Sequence, residues 1–212
     1  MGINQIVNLT LFGTTFATLF VIMDPPGAIP IFLALTGNYT HESRRKAAFQ
    51  ATCASFSIMI LFMLLGRYIL KFLHISLPSL QFSGGFVLFL MSMALLSGKE
   101  SEFGTPSTGK ANIALVPMGT PMLAGPGAIV ALMVAVESSN HDIIDWVAII
   151  LAVVTMHIVL WVTLRFAVFI SQFLGDAGTM LLTRISGLLL AAIATELIAT
   201  AIFTYIQTRY GI

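Results

Sequence analysis

Charge is what this chain lacks most. Lys, Arg, Asp and Glu make up 9% of its 212 residues, against roughly 25% in soluble globular domains, and the mean hydropathy is +0.97. A soluble fold is excluded on those terms, and a formal net charge of +1 excludes a nucleic-acid binder that works through phosphate neutralisation. Cysteine is almost absent too. Cys53 stands alone, which rules out an intrachain disulfide and any cysteine metal cluster and leaves it as a small apolar filler of a helix. The first apolar run has no basic region before it and no small-residue cleavage site ahead of Asp24, so Met1 is expected to stay with the mature protein. The Phe and Met residues follow no cofactor spacing, and no cofactor is expected.

What fills the chain is apolar runs of about 20 residues, the length that crosses a hydrocarbon core of about 30 Å. Six spans are expected, at about 13–36, 47–70, 80–97, 113–136, 146–169 and 185–206. The polar segment "GKESEFGTPSTGKAN", 98–112, straddles the midpoint and reads as a linker. Across it the sequence repeats. "MDPPGAI" (23–29) aligns with "LAGPGAI" (123–129) at an offset of 100, with Pro26/Pro126, Gly27/Gly127, Ala28/Ala128 and Ile29/Ile129 identical. Arg67 then falls near Arg165, and "FSGG" (82–85) near "ISGL" (185–188). The expectation is an all-α membrane protein of two three-helix units, 1–104 and 105–212. Three is odd, so the second unit enters the membrane from the opposite side and the repeats are inverted, as in many secondary transporters.

Orientation follows from the basic residues beside the spans. Arg44, Arg45, Lys46, Lys99, Lys110, Arg165 and Arg184 fall on one side, and Arg67, Lys71 and Arg209 on the other. The first side is expected in the cytoplasm, with both termini outside a cell (inner or plasma) membrane. "RRK" (44–46) then reads as a topology signal among lipid headgroups rather than a substrate site.

Each motif lies in the middle of the first span of its unit, at midplane depth. Proline removes a donor and pushes the residue before it out of the helical region, so a helix ending near Met23 must stop at Asp24 and Pro25. A second half-helix is expected with Gly27 as its cap, Ala28 as its first residue and Pro30 in its first turn. One such break is plainly a proline kink; two at one depth point to a built site, because irregular backbone in a bilayer survives only inside protein or along a wet cavity. Free N–H groups and the positive dipole end at each half-helix suit an anion. "PMGTP" (117–121) and the carbonyls ending at Met23 suit a cation. The expected solute site is therefore Asp24, Pro25, Pro26, Gly27, Ala28 and Ile29, facing Thr120, Gly125, Pro126, Gly127, Ala128 and Ile129.

Three ionisable groups share that depth: Asp24, His157 and Glu196. Each charge at a helix centre costs about 2.5–3.5 kcal/mol on insertion scales, so such groups are expected to face an interior. All three are candidates for ion coupling, although His157 and Glu196 read equally as hydrogen-bonded core residues. They lie on different spans with no ligand spacing, so no metal site is expected. An intramembrane protease would need a Ser/His pair, a zinc motif or two mid-depth aspartates, and the chain is not expected to be an enzyme. "SGG" (83–85) and Ser186–Gly187 read as small residues for close helix packing.

"DPPGAIPIF", "SGG", the Pro-x-Leu-Ala-Gly-Pro-Gly-Ala-Ile run at 121–129 and the "GLLLAAIA" run from Gly187 together resemble the MarC family of bacterial and archaeal membrane proteins. The resemblance covers essentially the whole chain. It implies transport of small neutral amino acids such as glycine and alanine, coupled to an ion gradient of H+ or Na+. The chain departs from the resembled pattern at Ala28, where relatives often carry Asn, and at Glu196, where they often carry Gln. The expected function is a secondary transporter of a zwitterionic solute working by alternating access, with lipid and a second copy of the chain as compatible partners. The alternatives are an exporter of another small metabolite or drug and a membrane subunit that moves nothing.

Overall fold

The computed structural model describes residues 8–98, 123–139 and 142–210. These form only helices: α1 (Leu9–Met23), α2 (Pro25–Leu35), α3 (His41–Leu73), α4 (Leu77–Ser97), α5 (Pro126–Glu137), α6 (Ile143–Arg165) and α7 (Ala167–Tyr210). Polar caps start several of them. The side chains of Asn8, Thr40 and Ser76 accept from the backbone N–H of Leu11, Ser43 and Ser79, the groups a helix leaves unpaired in its first turn. Left-handed residues stop them: His74 ends α3 at φ 55° and Gly98 ends α4 at φ 72°. Within α7, Gly175 (φ 64°) breaks the helix in a conformation that glycine adopts without strain.

Among the described residues, five segments are long and apolar enough to cross a membrane: Leu9–Ile29, His41–Leu73, Leu77–Ser97, Ile143–Arg165 and Met180–Gln207. Residues 9–12 continue α1 behind the Asn8 cap and form a helical lead-in to the first span, as is expected of residues 3–12. Of the expected fourth span, residues 113–122 lie outside the described residues, and the described part is the 12-residue α5, about 18 Å long at 1.5 Å per residue. Helix α3, with 33 residues, is about 50 Å long on the same basis. Its charged ends at His41–Lys46 and Arg67–Lys71 therefore reach the headgroups on both sides.

Lipid tails are as apolar as leucine, so contact between spans depends on close packing rather than on escape from water. Small residues provide it here. A side chain at Gly84 would strike Val130 of α5, and one at Gly85 would strike Ile198 and the Ala194 carbonyl of α7. Gly187 of α7 sits in the same way against Leu95 and Leu96 of α4. Helix α4 accordingly runs along α7; α3 pairs with α6, α2 lies against α6 and α7, and α5 lies against α3 and α4. One apolar core joins them, with Leu19, Phe32, Met59, Leu88, Leu132 and Met156 fully buried. Phe82, Phe86, Phe169, Phe173 and Phe203 point outward, as a lipid-facing surface requires.

Two polar side-chain links join helices at one end of the bundle. Asn8 Nδ2 donates to Asp145 Oδ1 at 2.9 Å, which holds the start of α1 to the start of α6. Arg67 Nε and Glu137 Oε2 are 3.6 Å apart, which links α3 to the end of α5. The Arg67 and Glu137 side chains are 68% and 43% exposed, and exposed pairs contribute little. Glu137→Gln should therefore change the unfolding free energy by less than about 0.5 kcal/mol, readable as an unaltered thermal midpoint.

Candidate functional site: two broken helices in one core

The first break is built on Asp24. Its backbone takes the left-handed conformation, φ 40° and ψ 68°, and its N–H donates to the Phe20 carbonyl at 3.0 Å, closing α1. The same residue opens α2: Oδ1 accepts from Gly27 N–H at 3.2 Å, and its carbonyl accepts from Ala28 N–H at 3.0 Å. Pro25 is thus the first helical residue, with Pro26 second. This corrects the expectation that Gly27 caps the half-helix and Ala28 begins it. Aspartate is among the best N-caps, and proline suits the first helical position, where an N–H would have no partner. Pro30 consequently lies in the second turn of α2 rather than the first.

The second break has the same place and a different chemistry. Gly125 is extended, φ −62° and ψ 162°, and starts α5 at Pro126 with no side-chain cap. Ala124 occupies the position equivalent to Asp24 and has no acceptor to offer. The N-terminus of α2 is therefore occupied by the chain's own carboxylate, while that of α5 carries the N–H groups of Gly127 and Ala128 without such a cap.

Both breaks belong to one core. Met23, Ala28, Ile29, Leu123, Ala124 and Ala128 share the buried cluster with Leu88, and α1 packs on α5. Asp24, Pro25, Gly27, Gly125 and Gly127 are also buried, and Pro26 and Ile129 are partly so. Thr120 and the "PMGTP" segment lie outside the described residues, as does the side chain of Pro126. The two glycines are held by different neighbours. A methyl group at Gly27 would collide with the Asp24 carboxylate, and one at Gly127 would collide with the Leu88 side chain.

The other ionisable candidates lie elsewhere. His157 is buried between α6 and α3, where Nδ1 meets the Val153 carbonyl at 2.8 Å and Nε2 meets Ser55 Oγ at 3.2 Å. A carbonyl only accepts, so Nδ1 carries the proton and neutral Nε2 accepts from the Ser55 hydroxyl. Phe56 packs edge-on against the ring at 5.2 Å between centroids. This is a core histidine joining two spans, with no carboxylate partner among the described residues. Ser55→Ala removes that link and leaves a buried nitrogen without a donor. It should lower the unfolding free energy by about 1–3 kcal/mol, measured by thermal unfolding in detergent.

Glu196 fails the expectation that a mid-span carboxyl faces inward: it is exposed on the outer side of α7. The inner stripe of α7 is Leu190, Ala194 and Ala201. At about 100° per residue, a position two beyond Ala194 is turned to the opposite face. Cys53 likewise faces outward, from α3. Among the described residues no group of three or more His, Cys, Asp or Glu is placed to hold a metal.

An all-helical bundle with several membrane-length apolar helices, one of them broken at a buried aspartate, defines a multi-pass integral membrane protein. The MarC family model, that of a family of integral membrane proteins, matches residues 9–206, and the chain belongs to that family. It is 36% identical over 201 residues to a UPF0056 membrane protein of Methanocaldococcus jannaschii, covering 92% of this chain and 98% of the relative. It is 31% identical over 194 residues to the UPF0056 membrane protein YvbG of Bacillus subtilis, covering 88% and 92%. It is also 31% identical over 193 residues to YhcE of Escherichia coli, covering 88% and 89%. No solved structure matches the chain.

Proposed function

We propose that this protein is a secondary transporter of small neutral amino acids such as glycine or alanine, built from two inverted three-helix repeats and working by alternating access. The observation that carries the reading is the unequal pair of breaks: a buried carboxylate at one and a buried helix N-terminus without a side-chain cap at the other. A zwitterion needs both signs of partner. Its ammonium would meet the carboxyl of Asp24, a buried acidic side chain at the first break. Its carboxylate would meet the N–H groups of Gly127 and Ala128. The α2 terminus is not available to that carboxylate, because Asp24 already caps it.

The pattern of helix pairing supports inverted repeats. Exchanging α2 with α5, α3 with α6 and α4 with α7 turns the α2–α6 and α2–α7 pairs into the α5–α3 and α5–α4 pairs, all of which are present. The α3–α6 and α4–α7 pairs map onto themselves, as pairs on a two-fold axis in the membrane plane would. Coupling to H+ or Na+ is assigned to Asp24, because it is the buried acidic side chain at the break itself and Glu196 faces outward. The end of the bundle carrying Arg44, Arg45 and Arg165 is assigned to the cytoplasm, with Asn8 outside a cell membrane. No catalytic role is assigned to any residue.

A thermal-shift comparison tests the recognition. Alanine should raise the unfolding midpoint of the purified protein, because a ligand of the native state stabilises it by about 2.7 kcal/mol at 100 times its Kd. Propionate and ethylamine, which each offer one end of the zwitterion, should do so far less. Equal shifts with all three, or none with alanine, would remove the two-ended site.

A further inference from the structure

At the end of the bundle where α2 turns into α3 and α6 into α7, four basic side chains converge on one cavity of about 180 Å³. His41, Arg44 and Arg45 come from the first turns of α3, and Arg165 from the last turn of α6; Gln172 of α7 adds an amide. Among the described residues no carboxylate lines it. Arg44 is folded under the end of α2: Nη2 donates to the Thr36 carbonyl at 2.9 Å, while Nε is buried with no acceptor among the described residues. A buried donor on a cation is a costly group to leave unpaired. The Arg165 guanidinium lies 5.3 Å from the Trp161 ring and 6.0 Å from the Phe166 ring, a stacking that orients it without neutralising it. The start of α3 adds its positive dipole end.

The opposite end of the bundle has a cavity of similar size and a different charge. It is about 230 Å³ and is lined by Arg67, Lys71 and Glu137, so its arginine already has a carboxylate 3.6 Å away. Among the described residues, the first cavity therefore holds cations with no carboxylate in its lining, and the second does not. Beside the basic cavity, Phe166 and Phe169 are 51% and 68% exposed, an apolar flank at the depth where acyl chains begin.

We propose that the basic cavity binds the phosphate of an anionic phospholipid, with the acyl chains lying along Phe166 and Phe169. A phosphodiester offers acceptor oxygens to Arg44 Nε, Arg45 and Arg165 together, and planar guanidinium groups suit that geometry better than ammonium groups do. Basic pockets between spans on the cytoplasmic side are where headgroup recognition is expected physically. The site would anchor the α2–α3 turn to the α6–α7 turn in one leaflet. It does not depend on the proposed transport activity.

Native mass spectrometry of the full-length protein in neutral detergent tests this, with phosphatidylglycerol and phosphatidylcholine of identical acyl chains as the probes. One phosphatidylglycerol per chain should be retained in preference to phosphatidylcholine. Arg45→Gln and Arg165→Gln should each weaken it about fivefold, as expected for one basic side chain at an anionic lipid. Arg67→Gln, at the other face, should leave it unchanged, and the wild-type circular dichroism spectrum should be kept by all three. Equal retention of the two lipids, or unaltered affinity in both Arg45→Gln and Arg165→Gln, would overturn the proposal. So would inorganic phosphate at millimolar concentration displacing the lipid completely, since that would make the cavity a site for soluble phosphate.

Discussion

Asp24→Asn should keep the fold and lose the transport. Asparagine caps a helix as well as aspartate does and tolerates the left-handed conformation, so the Gly27 N–H keeps its acceptor and the break keeps its shape. The expected change in unfolding free energy is under about 0.5 kcal/mol. What disappears is the negative charge. A hydrogen bond to a charged group contributes about 1.5–3 kcal/mol, so alanine uptake at subsaturating concentration should fall by about tenfold or more. Asp24→Ala separates the two roles from the other side. It removes the cap, at about 1 kcal/mol, and places alanine at φ 40°, which adds about 1–2 kcal/mol; both stability and uptake should drop. Uptake in reconstituted vesicles and thermal unfolding in detergent, run on the same preparations, read the two effects. Full uptake by Asp24→Asn would take the carboxylate out of the mechanism.

Gly127→Ala should be strongly damaging for a change of one methyl group. The added carbon falls on the Leu88 side chain inside the buried cluster, and overpacking of this kind costs about 1–3 kcal/mol. It also acts on function, because the residue that must shift carries one of the N–H groups proposed to hold the solute carboxylate. Leu88→Ala alone opens a cavity and should cost about 2–5 kcal/mol. Together the two changes should cost less than their sum by about 1 kcal/mol or more, since the smaller residue 88 makes room for the methyl group. Strict additivity in thermal unfolding would show that α4 does not press on the second break as described. Gly27→Ala makes a useful contrast, because its obstacle is the Asp24 carboxylate and not a core side chain.

The breaks were readable from the sequence because proline and glycine act locally. Pro25 and Pro126 announce where helices restart, and an offset of 100 residues ties Pro26 to Pro126. Which residue caps α2 was not readable in the same way. Asp24 and Gly27 both serve at such positions, and the choice depended on Asp24 adopting a left-handed backbone that one sequence does not reveal. The close-packing glycines were legible for a similar reason: Gly84, Gly85 and Gly187 carry an intrinsic helix penalty and sit where α4 meets α5 and α7.

Depth along a span could be counted, but direction around it could not. Glu196 has the expected depth and the opposite facing, because the lipid side and the inner side of α7 are both apolar and leave no periodicity to read. His157 was legible as a buried polar group, whereas its partner Ser55 lies 102 residues away and no local pattern connects them. The same holds for the basic cavity. Arg44 and Arg45 carry a topology signal in the sequence, and only the turn from α6 to α7 brings Arg165 beside them.

If the two breaks bind a small zwitterion and carry it across the membrane, the protein exchanges that solute, and counterflow reads the exchange. Vesicles containing the purified protein are loaded with unlabelled alanine, diluted into a trace of labelled alanine, and followed over time. Label should accumulate transiently above equilibrium, an overshoot absent from protein-free vesicles and strongly reduced with Asp24→Asn. Label uptake by wild-type vesicles that matches protein-free vesicles at every time point would contradict it.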